Sequence, residues 1–371
     1  MTVSGRQMAR YRRRVGWRAG LTALLGLATA LACGGSKLTP VLDCEPAFGI
    51  DVDCQFQNPE DLVPSPDGRI LVSQYGDMAS AAPGSLAIYD PERRQLERLF
   101  PAEADPLENR WGDPACPAPD LALFSPHGID VERRDDGRHQ LAAVNHGGRE
   151  SVELFEVADD GSLRWRGCAL GPEGAFFNDV VVLRSGGFWV TQMFPHGSGL
   201  VPLVKSRLGF DTGWVYAWSP GAGFSKLPGS DAPFPNGLEK SPDERFAYVN
   251  TYSTTGVLKL DVARGEVVAS HALPNLDNSS WSVDGHLLVA SHTGGLSEML
   301  ACQGLERGAC GMPFEIISLD PELREARVRL AHQGRPMGGA TVALEHRGAL
   351  YLGSFAGDRI AIVRSGSASA P

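Results

Sequence analysis

Residues 124–157 read FSPHGIDVERRDDGRHQLAAVNHGGRESVELFEV, and this stretch decides the fold class. Short apolar runs bounded by Gly, Asp and Asn are typical of antiparallel strands joined by hairpins. The apolar runs and turn-forming clusters alternate in the order 128–131, 134–138, 140–144, 145–148 and 151–157. The stretch therefore predicts a meander whose first strand begins at His127 and whose second ends at His146. Adjacent strands lie about 5 Å apart, so the two histidines can face each other.

Units of the same pattern recur along the chain at intervals of roughly 40 to 70 residues. Each unit holds a strand, a tight turn, a second strand and further strand-like segments. Repeats of this kind, lengthened by loop insertions, are typical of the blades of a β-propeller. We therefore predict an all-β fold, a six-bladed β-propeller of four-stranded antiparallel blades. The predicted first strands open at Glu60, His127, Asn178, Asn236, Asp277 and Gly339.

In this architecture, the polar residues at the strand starts are expected to lie close together. The first strand of each blade lines the central channel, so its opening residues converge on one mouth. Carboxylate and amide oxygens dominate the set, and calcium takes six to eight such ligands, whereas zinc and copper favour His and Cys. Asn-Gly and similar pairs also form turns whatever the function, but recurrence in five consecutive units favours a calcium-binding channel. The residues are Glu60, His127, Asn178, Asn236, Asp277 and Asn278.

The N-terminal residues predict export. Residues 1–18 carry six arginines and no acid, and residues 19–32 form an apolar run too short to span a bilayer comfortably. Ala30-Leu31-Ala32 followed by Cys33 resembles the lipobox of bacterial lipoproteins, in which the cysteine is acylated. We therefore expect a periplasmic or outer-membrane-anchored lipoprotein. Plain cleavage after Ala32, which would give a secreted soluble protein, is the alternative.

Cysteine usage agrees with export. Besides Cys33 the chain has six cysteines, and an even number in an exported protein predicts disulfides. The absence of a C-x-x-C motif argues against a zinc ribbon or a thioredoxin-type redox site. Many connectivities are possible, but proximity in sequence favours Cys44–Cys54 and Cys302–Cys310, which leaves Cys116–Cys168.

The charge balance argues against nucleic acid as a partner. The chain has a net charge of −10, and loss of residues 1–18 removes six of its 34 basic and none of its 44 acidic residues, leaving −16. Such a charge disfavours nucleic acid and anionic lipid surfaces. Membrane contact is therefore expected only through the lipid anchor. The acidity is compatible with cation binding, although surface acid also serves solubility.

The chain divides into four predicted segments. Residues 1–32 are the export signal, and residues 33–56 are a linker or an N-terminal strand that could complete the last blade. Residues 57–364 form the propeller. Residues 365–371 are small and polar and are expected to fray.

The ordered polar positions resemble the paraoxonase/arylesterase family of calcium-dependent lactonases. More distantly, the chain is similar to gluconolactonase and strictosidine-synthase-like propellers. The resemblance runs over residues 57–362. It is carried by SPHGI, VNH and SVELFEV within residues 125–157, by Phe177-Asn178-Asp179-Val180, by Asn236-Gly237 and by Asp277-Asn278.

The resemblance implies two calcium sites and a histidine dyad. In the dyad, His127 is the base that activates water and His146 tunes it. A structural calcium is bound by Asp61, Asp179 and the backbone carbonyl of Ile129. The family's ligands of the catalytic calcium correspond to Glu60, Asn178, Asn236, Asp277 and Asn278. The residues that match its substrate pocket are Tyr75, Phe234, Thr341 and Phe355.

The implied reaction is hydrolysis of a small-molecule lactone or aryl ester. The catalytic calcium would polarise the carbonyl, and water deprotonated by His127 would attack it. The sequence has no G-x-S-x-G, H-E-x-x-H, P-loop or dinucleotide-binding motif. Gln192-Met193-Phe194 stands where the family has an Asn-Asp-His run. A sugar-lactone hydrolase and a non-catalytic, calcium-stabilised binding propeller of the cell envelope are the alternatives.

Overall fold

The computed structural model describes residues 38–76, 83–100, 110–303, 305 and 307–364. These residues form six four-stranded antiparallel sheets, arranged as the blades of a propeller, and two short helices. The predicted fold class is therefore confirmed. The predicted export signal with Cys33 and the predicted tail at 365–371 lie outside the described residues.

Each blade is a meander, and its strands follow one another from the channel outwards. The first three blades consist of β2 (Pro59–Pro64), β3 (Ile70–Gln74), β4 (Ser85–Asp90) and β5 (Gln95–Phe100); β6 (Pro126–Arg133), β7 (His139–Asn145), β8 (Ser151–Val157) and β9 (Leu163–Leu170); and β10 (Phe177–Val182), β11 (Phe188–Gln192), β12 (Trp214–Ser219) and β13 (Gly223–Lys226).

The second half repeats this arrangement, with a short strand from the N-terminal side in the last blade. Its strands are β14 (Pro235–Lys240), β15 (Phe246–Thr251), β16 (Val257–Asp261) and β17 (Glu266–His271); β18 (Leu276–Trp281), β19 (Leu287–His292), β20 (Phe314–Leu319) and β21 (Ala326–His332); and β22 (Ala340–His346), β23 (Ala349–Ser354), β24 (Ile360–Arg364) and β1 (Asp51–Asp53). The helices are α1 (Val201–Arg207) and α2 (Leu296–Gln303).

The ring closes because β1 pairs with β24. Asp51 lies opposite Ile362, and Asp53 lies opposite Ile360, in an antiparallel register. The sixth blade thus combines the two ends of the propeller, which covers an edge that would otherwise be unpaired.

The turn between the first and second strands uses the same chemistry in several blades. Gly68, Gly137 and Gly285 each follow an aspartate and have φ values of 84°, 87° and 80°. Only glycine takes this left-handed conformation without a steric penalty, so the Asp-Gly pairs fix where the hairpins turn.

The hydrophobic core lies between neighbouring blades. Leu71 and Ile88 of the first blade pack with Leu141 and Phe155 of the second, and all four are at most 1% exposed. A corresponding apolar cluster fills each of the other five junctions. Both faces of the middle strands are therefore buried, which explains why they read as continuous apolar runs.

Three disulfides lie in the described residues, and they are the pairs that sequence proximity favours. They join Cys44 to Cys54, Cys116 to Cys168 and Cys302 to Cys310. Because disulfides persist in oxidising compartments, they indicate an exported protein. Within the described ranges, neither α1 nor α2 has the length and apolar character needed to span a bilayer.

Candidate active site

All six first strands carry a β-bulge near their start, and in four of them the bulge includes predicted ligands of the catalytic calcium. A bulge places two residues of one strand opposite one residue of its partner and redirects their side chains. Consecutive residues such as Asp277 and Asn278 can therefore both reach other blades. The register shifts lie between Pro59 and Asp61, Pro126 and Ile129, Phe177 and Val180, Pro235 and Leu238, Leu276 and Ser279, and Ala340 and Val342.

Left-handed backbone precedes the bulge in three of these strands. Asn58, Phe234 and Asn275 have φ values of 41°, 55° and 45°, and each lies two residues before a predicted ligand. Asparagine tolerates this region, but a bulky residue such as Phe234 does so at a cost of roughly 1–2 kcal/mol. Strain of this kind is concentrated at functional sites.

The five predicted ligands of the catalytic calcium lie at the starts of the first strands of four blades. The Asn278 amide donates to Glu60 Oε1 across the channel at 2.9 Å. All five side chains are buried. Four of them keep an oxygen that is buried without a hydrogen-bond partner, namely Glu60 Oε2, Asn178 Oδ1, Asn236 Oδ1 and Asn278 Oδ1.

These orphaned oxygens fit a calcium ion. An unsatisfied buried acceptor costs about 1–3 kcal/mol, so four of them within one predicted ligand set need an explanation. Calcium accepts neutral and charged oxygens in flexible geometry. Within the described part of the chain, no three His, Cys, Asp or Glu side chains form a metal-binding cluster by themselves. A metal bound here would therefore need amide oxygens among its ligands, and such ligands suit calcium better than zinc or copper.

The electrostatics of the channel also favour a cation. Burial raises the pKa of Glu60 well above its usual range, and the charges of Asp61 and Asp277 raise it further. Burial and the charge of Asp61 raise the pKa of Asp277 to about 8. Acidic groups held together in this way repel one another once they ionise, and a bound cation relieves that repulsion.

Asp61 and Asp179, which were predicted to bind a structural calcium, directly follow Glu60 and Asn178 on the same strands. Asp61 accepts the amide of Ile129 at 2.8 Å, and Asp179 accepts the amide of Leu238 at 2.7 Å. Both carboxylates therefore link their own blade to the next. Burial and the charge of Asp61 raise the pKa of Asp179 well above its usual range. Ile129 contacts Asp61 through its N–H, which is not the atom that the sequence analysis assigned to the metal.

Stability of the metal-free protein is expected to fall as the pH rises from about 4 to about 8. The pKa values of Asp61 and Asp277 are raised to about 7 and about 8 in the folded protein, against about 4 in an unfolded chain. The folded state therefore binds more protons in this window, and the free energy of unfolding decreases with pH. Urea unfolding of metal-free protein near pH 5 and pH 8 measures the effect. Stability that increases across this window would contradict it.

The two histidines form the predicted pair at the start of β6 and the end of β7. His127 Nδ1 lies 3.1 Å from His146 Nε2, and His127 Nε2 lies 3.6 Å from Glu60 Oε1, too far for a hydrogen bond. Burial lowers the pKa of His127 well below its usual value, and the charge of His146 lowers it further. His127 is therefore neutral near pH 7 and has the lone pair that a base requires. Glu150, which the sequence analysis missed, hydrogen-bonds His146 Nδ1 through Oε2 at 2.9 Å.

A row of aromatic side chains from all six blades borders this centre. Successive ring centroids are 4.9 to 5.7 Å apart, which is ordinary packing for aromatic pairs. The row runs through Tyr75, His127, His146, Phe176, Phe194, Phe234, Tyr252, His292 and Phe355. Tyr75, Phe234 and Phe355 were predicted as pocket positions and the first two histidines as the dyad. The other four members of the row were not predicted.

A repeat in the sequence could have revealed most of the row. Every unit has an aromatic residue at or just after the end of its second strand, in the segments SQYG, VNHG, TQMF, NTYS, ASHT and GSFA. That position lies opposite the predicted ligands, because the second strand runs antiparallel to the first.

His292 and Thr341 link neighbouring blades around the channel. The Tyr252 hydroxyl lies 2.9 Å from His292 Nδ1, and His292 Nε2 lies 3.0 Å from the Ala340 carbonyl. Burial lowers the pKa of His292 to about 4. Thr341, predicted on the pocket wall, is 1% exposed and donates from Oγ1 to the Glu60 carbonyl at 2.6 Å. It therefore positions the strand that carries Glu60.

Known proteins share this architecture. A gluconolactonase from Xanthomonas campestris superposes with a TM-score of 0.50 and 16% identity, covering 88% of this chain and 96% of that one. The PQQ domain of a pyranose dehydrogenase from Coprinopsis cinerea gives 0.54 and 11%, covering 88% and 98%. At these identities the likeness concerns the fold alone.

Sequence similarity extends to an animal protein and to a family. Mechanosensory abnormality protein 6 of Caenorhabditis elegans is 25% identical over 144 residues, which is 38% of this chain and only 37% of the nematode protein. The family model for arylesterases matches residues 77–356. That range includes the dyad and the ligand positions of the third to fifth blades, and it leaves out Glu60, Asp61 and Tyr75. With most of the propeller matched, the chain belongs to the arylesterase family.

Proposed function

We propose that the protein is a calcium-dependent hydrolase of lactones or aryl esters in which His127 activates the attacking water. One observation carries the proposal. The proposed ligand set holds four unpartnered buried oxygens, and its member Glu60 lies 3.6 Å from Nε2 of a neutral histidine. The proposed cation site thus lies next to the proposed base, at the buried mouth of the channel.

The proposed ligands are Glu60, Asn178, Asn236, Asp277 and Asn278, with Asp61 and Asp179 available for a second ion. When bound there, calcium would polarise the ester carbonyl and stabilise the negative charge that develops on its oxygen. A mixture of neutral amides and carboxylates suits this purpose, because amides add oxygen ligands without adding repulsive charge.

His127 acts as the general base in this proposal. Its Nε2 takes a proton from water while the remaining hydroxide adds to the carbonyl carbon. Burial keeps His127 unprotonated near neutral pH, and stacking on Tyr75 at 4.9 Å between ring centroids restrains the orientation of the imidazole. The alcohol or phenolate leaves when the carbonyl re-forms. No covalent enzyme intermediate is required.

The aromatic row supports apolar lactones and aryl esters over sugar lactones. Rings such as Phe194, Phe234 and Phe355 offer faces to apolar groups but no hydrogen-bond partners to a polyhydroxylated ring. The hydroxyl of Tyr252 already pairs with His292. A sugar lactone would lose hydration against this wall without compensation.

A substrate panel tests the proposal. Purified protein is assayed with phenyl acetate, medium-ring aliphatic lactones and a sugar lactone, with calcium and after its removal. We expect turnover of the first two classes only when calcium is present. Preference for the sugar lactone would favour the gluconolactonase-like alternative. Calcium-dependent stability without turnover of any substrate would favour the non-catalytic binding propeller.

We further propose that the protein is anchored in the cell envelope through a lipid on Cys33. The three disulfides support an oxidising compartment. Metabolic labelling with a fatty acid, compared between the native protein and Cys33→Ser, tests the anchor. Equal labelling of the two proteins would rule it out.

A further inference from the structure

Glu150 occupies an unusual position between the dyad and the ligand strands. Its Oε2 lies 2.9 Å from His146 Nδ1, and its Oε1 accepts the backbone amide of Phe177, the residue before Asn178. The side chain of Glu150 is 16% exposed. One carboxylate therefore contacts both the second histidine and the start of β10.

The turn that carries Glu150 is held firmly by its own contacts. Asn145 Oδ1 accepts the amides of Ser125 and Gly147, each at 3.0 Å. A Cβ atom at Gly147 would lie 1.8 Å from the Leu123 carbonyl oxygen, so only glycine fits at this position. The Gly171 amide donates to the Glu150 carbonyl at 2.9 Å. These contacts hold the backbone of the turn, and the bonds to His146 and Phe177 orient the Glu150 carboxylate.

Glu150, His146 and His127 form a chain of hydrogen bonds. This chain determines which ring nitrogen of each histidine carries the proton. An ionised carboxylate only accepts, so His146 must carry its proton on Nδ1 and leave Nε2 as an acceptor. His127 must then donate from Nδ1 to His146 Nε2, which leaves the lone pair of His127 on Nε2. That nitrogen is the one beside Glu60 and the ligand set.

We propose that Glu150 is a positioning residue that makes a triad of the dyad, selecting the tautomer in which Nε2 of His127 is the base. This inference rests on the proposed hydrolytic function. Glu150 touches neither substrate nor metal and acts through His146.

The proton balance follows from this arrangement. The O–H bond of water breaks, its proton binds His127 Nε2, and the hydroxide adds to the carbonyl carbon. The positive charge that forms on the His127 imidazole is shared with His146 through the hydrogen bond between them. The carboxylate of Glu150 compensates that charge without itself taking the proton, and the proton later leaves with the alcohol.

Kinetics of Glu150→Gln test the proposal. Glutamine keeps the shape of the side chain, but it removes the charge and can offer an N–H to His146, which favours the wrong tautomer. We expect kcat to fall about 10- to 100-fold, with KM and the calcium concentration for half-maximal activity unchanged. Glu156→Gln is the matched control, because Glu156 is 19% exposed and pairs with Arg166 away from the dyad. It should leave kcat unchanged.

Two kinetic outcomes would overturn the role. One is an unchanged kcat in Glu150→Gln. The other is a fall in kcat that is matched by an equal loss of calcium affinity, because Glu150 would then act only through Phe177 and the strand of Asn178.

Long-range proton–nitrogen NMR of the native protein tests the tautomer without any substrate. His127→Gln and His146→Gln variants assign the signals. We expect a protonated Nδ1 and an unprotonated Nε2 in both rings, and loss of this pattern at His146 in Glu150→Gln. The opposite tautomer in the native protein would overturn the inference. Because this readout does not need turnover, it separates failure of the Glu150 role from failure of the proposed function.

Discussion

Replacing His127 with glutamine is expected to lower kcat about 10²–10⁴-fold, the usual contribution of a general base. Glutamine roughly preserves the size of the side chain and its polarity but cannot accept a proton from water near neutral pH. Calcium binding should survive, because Nε2 of His127 lies outside hydrogen-bond distance of Glu60 and provides none of the orphaned oxygens. The measurement is kcat on phenyl acetate and a medium-ring lactone, together with the melting temperature with and without calcium.

The matched control is His286→Gln. The side chain of His286 is 41% exposed and lies beside Asp284 in a surface turn, so its replacement should leave kcat unchanged. Full calcium-dependent turnover by His127→Gln would keep the metal site but remove the histidine from the mechanism.

Removal of calcium is expected to have the largest effect on stability. A ligand that binds only the folded state stabilises it by about 4 kcal/mol when its free concentration is a thousand times Kd. Chelation should therefore lower the melting temperature and abolish turnover together. Asn236→Ala should weaken the response, because it deletes one of the unpartnered buried oxygens. Each tenfold rise in Kd removes about 1.4 kcal/mol of the stabilisation, which calcium titrations of thermal unfolding measure.

Asn236→Asp is the control that distinguishes loss of the oxygen ligand from loss of side-chain volume. It keeps an oxygen at the same position, so the calcium response should persist, whereas Asn236→Ala should lose most of it. Equal melting temperatures of the native protein with calcium and with chelator would contradict calcium binding at this site.

Much of the fold was predictable because the sequence repeats it. Asp-Gly pairs at 67–68, 136–137 and 284–285 mark the first hairpin of three blades, and apolar runs mark the buried second strands. The strand that completes the sixth blade was harder to predict. β1 has only three residues, and its pairing with β24 joins positions more than 300 residues apart. Local sequence carries little information about such a contact.

The site was predictable in part. The proposed ligands could be chosen from the sequence because they stand at the starts of the first strands, which lie at the same mouth of the channel. Glu150 was missed because its role depends on contacts with His146 and Phe177, which come from different strands. Thr341 was assigned to the pocket wall, yet its hydroxyl holds the backbone of Glu60. Neither contact follows a spacing in the chain.

The sequence by itself determined the class of the fold, the ring of polar positions at its channel and the histidine pair. These features follow from local rules, such as turn chemistry, strand alternation and a repeated unit. Tertiary structure alone decided which oxygens remain without partners, which nitrogen of His127 faces the ligand set and which residues orient it. Those properties depend on distances of about 3 Å between side chains of different blades, and they arise only when the blades pack around a common axis.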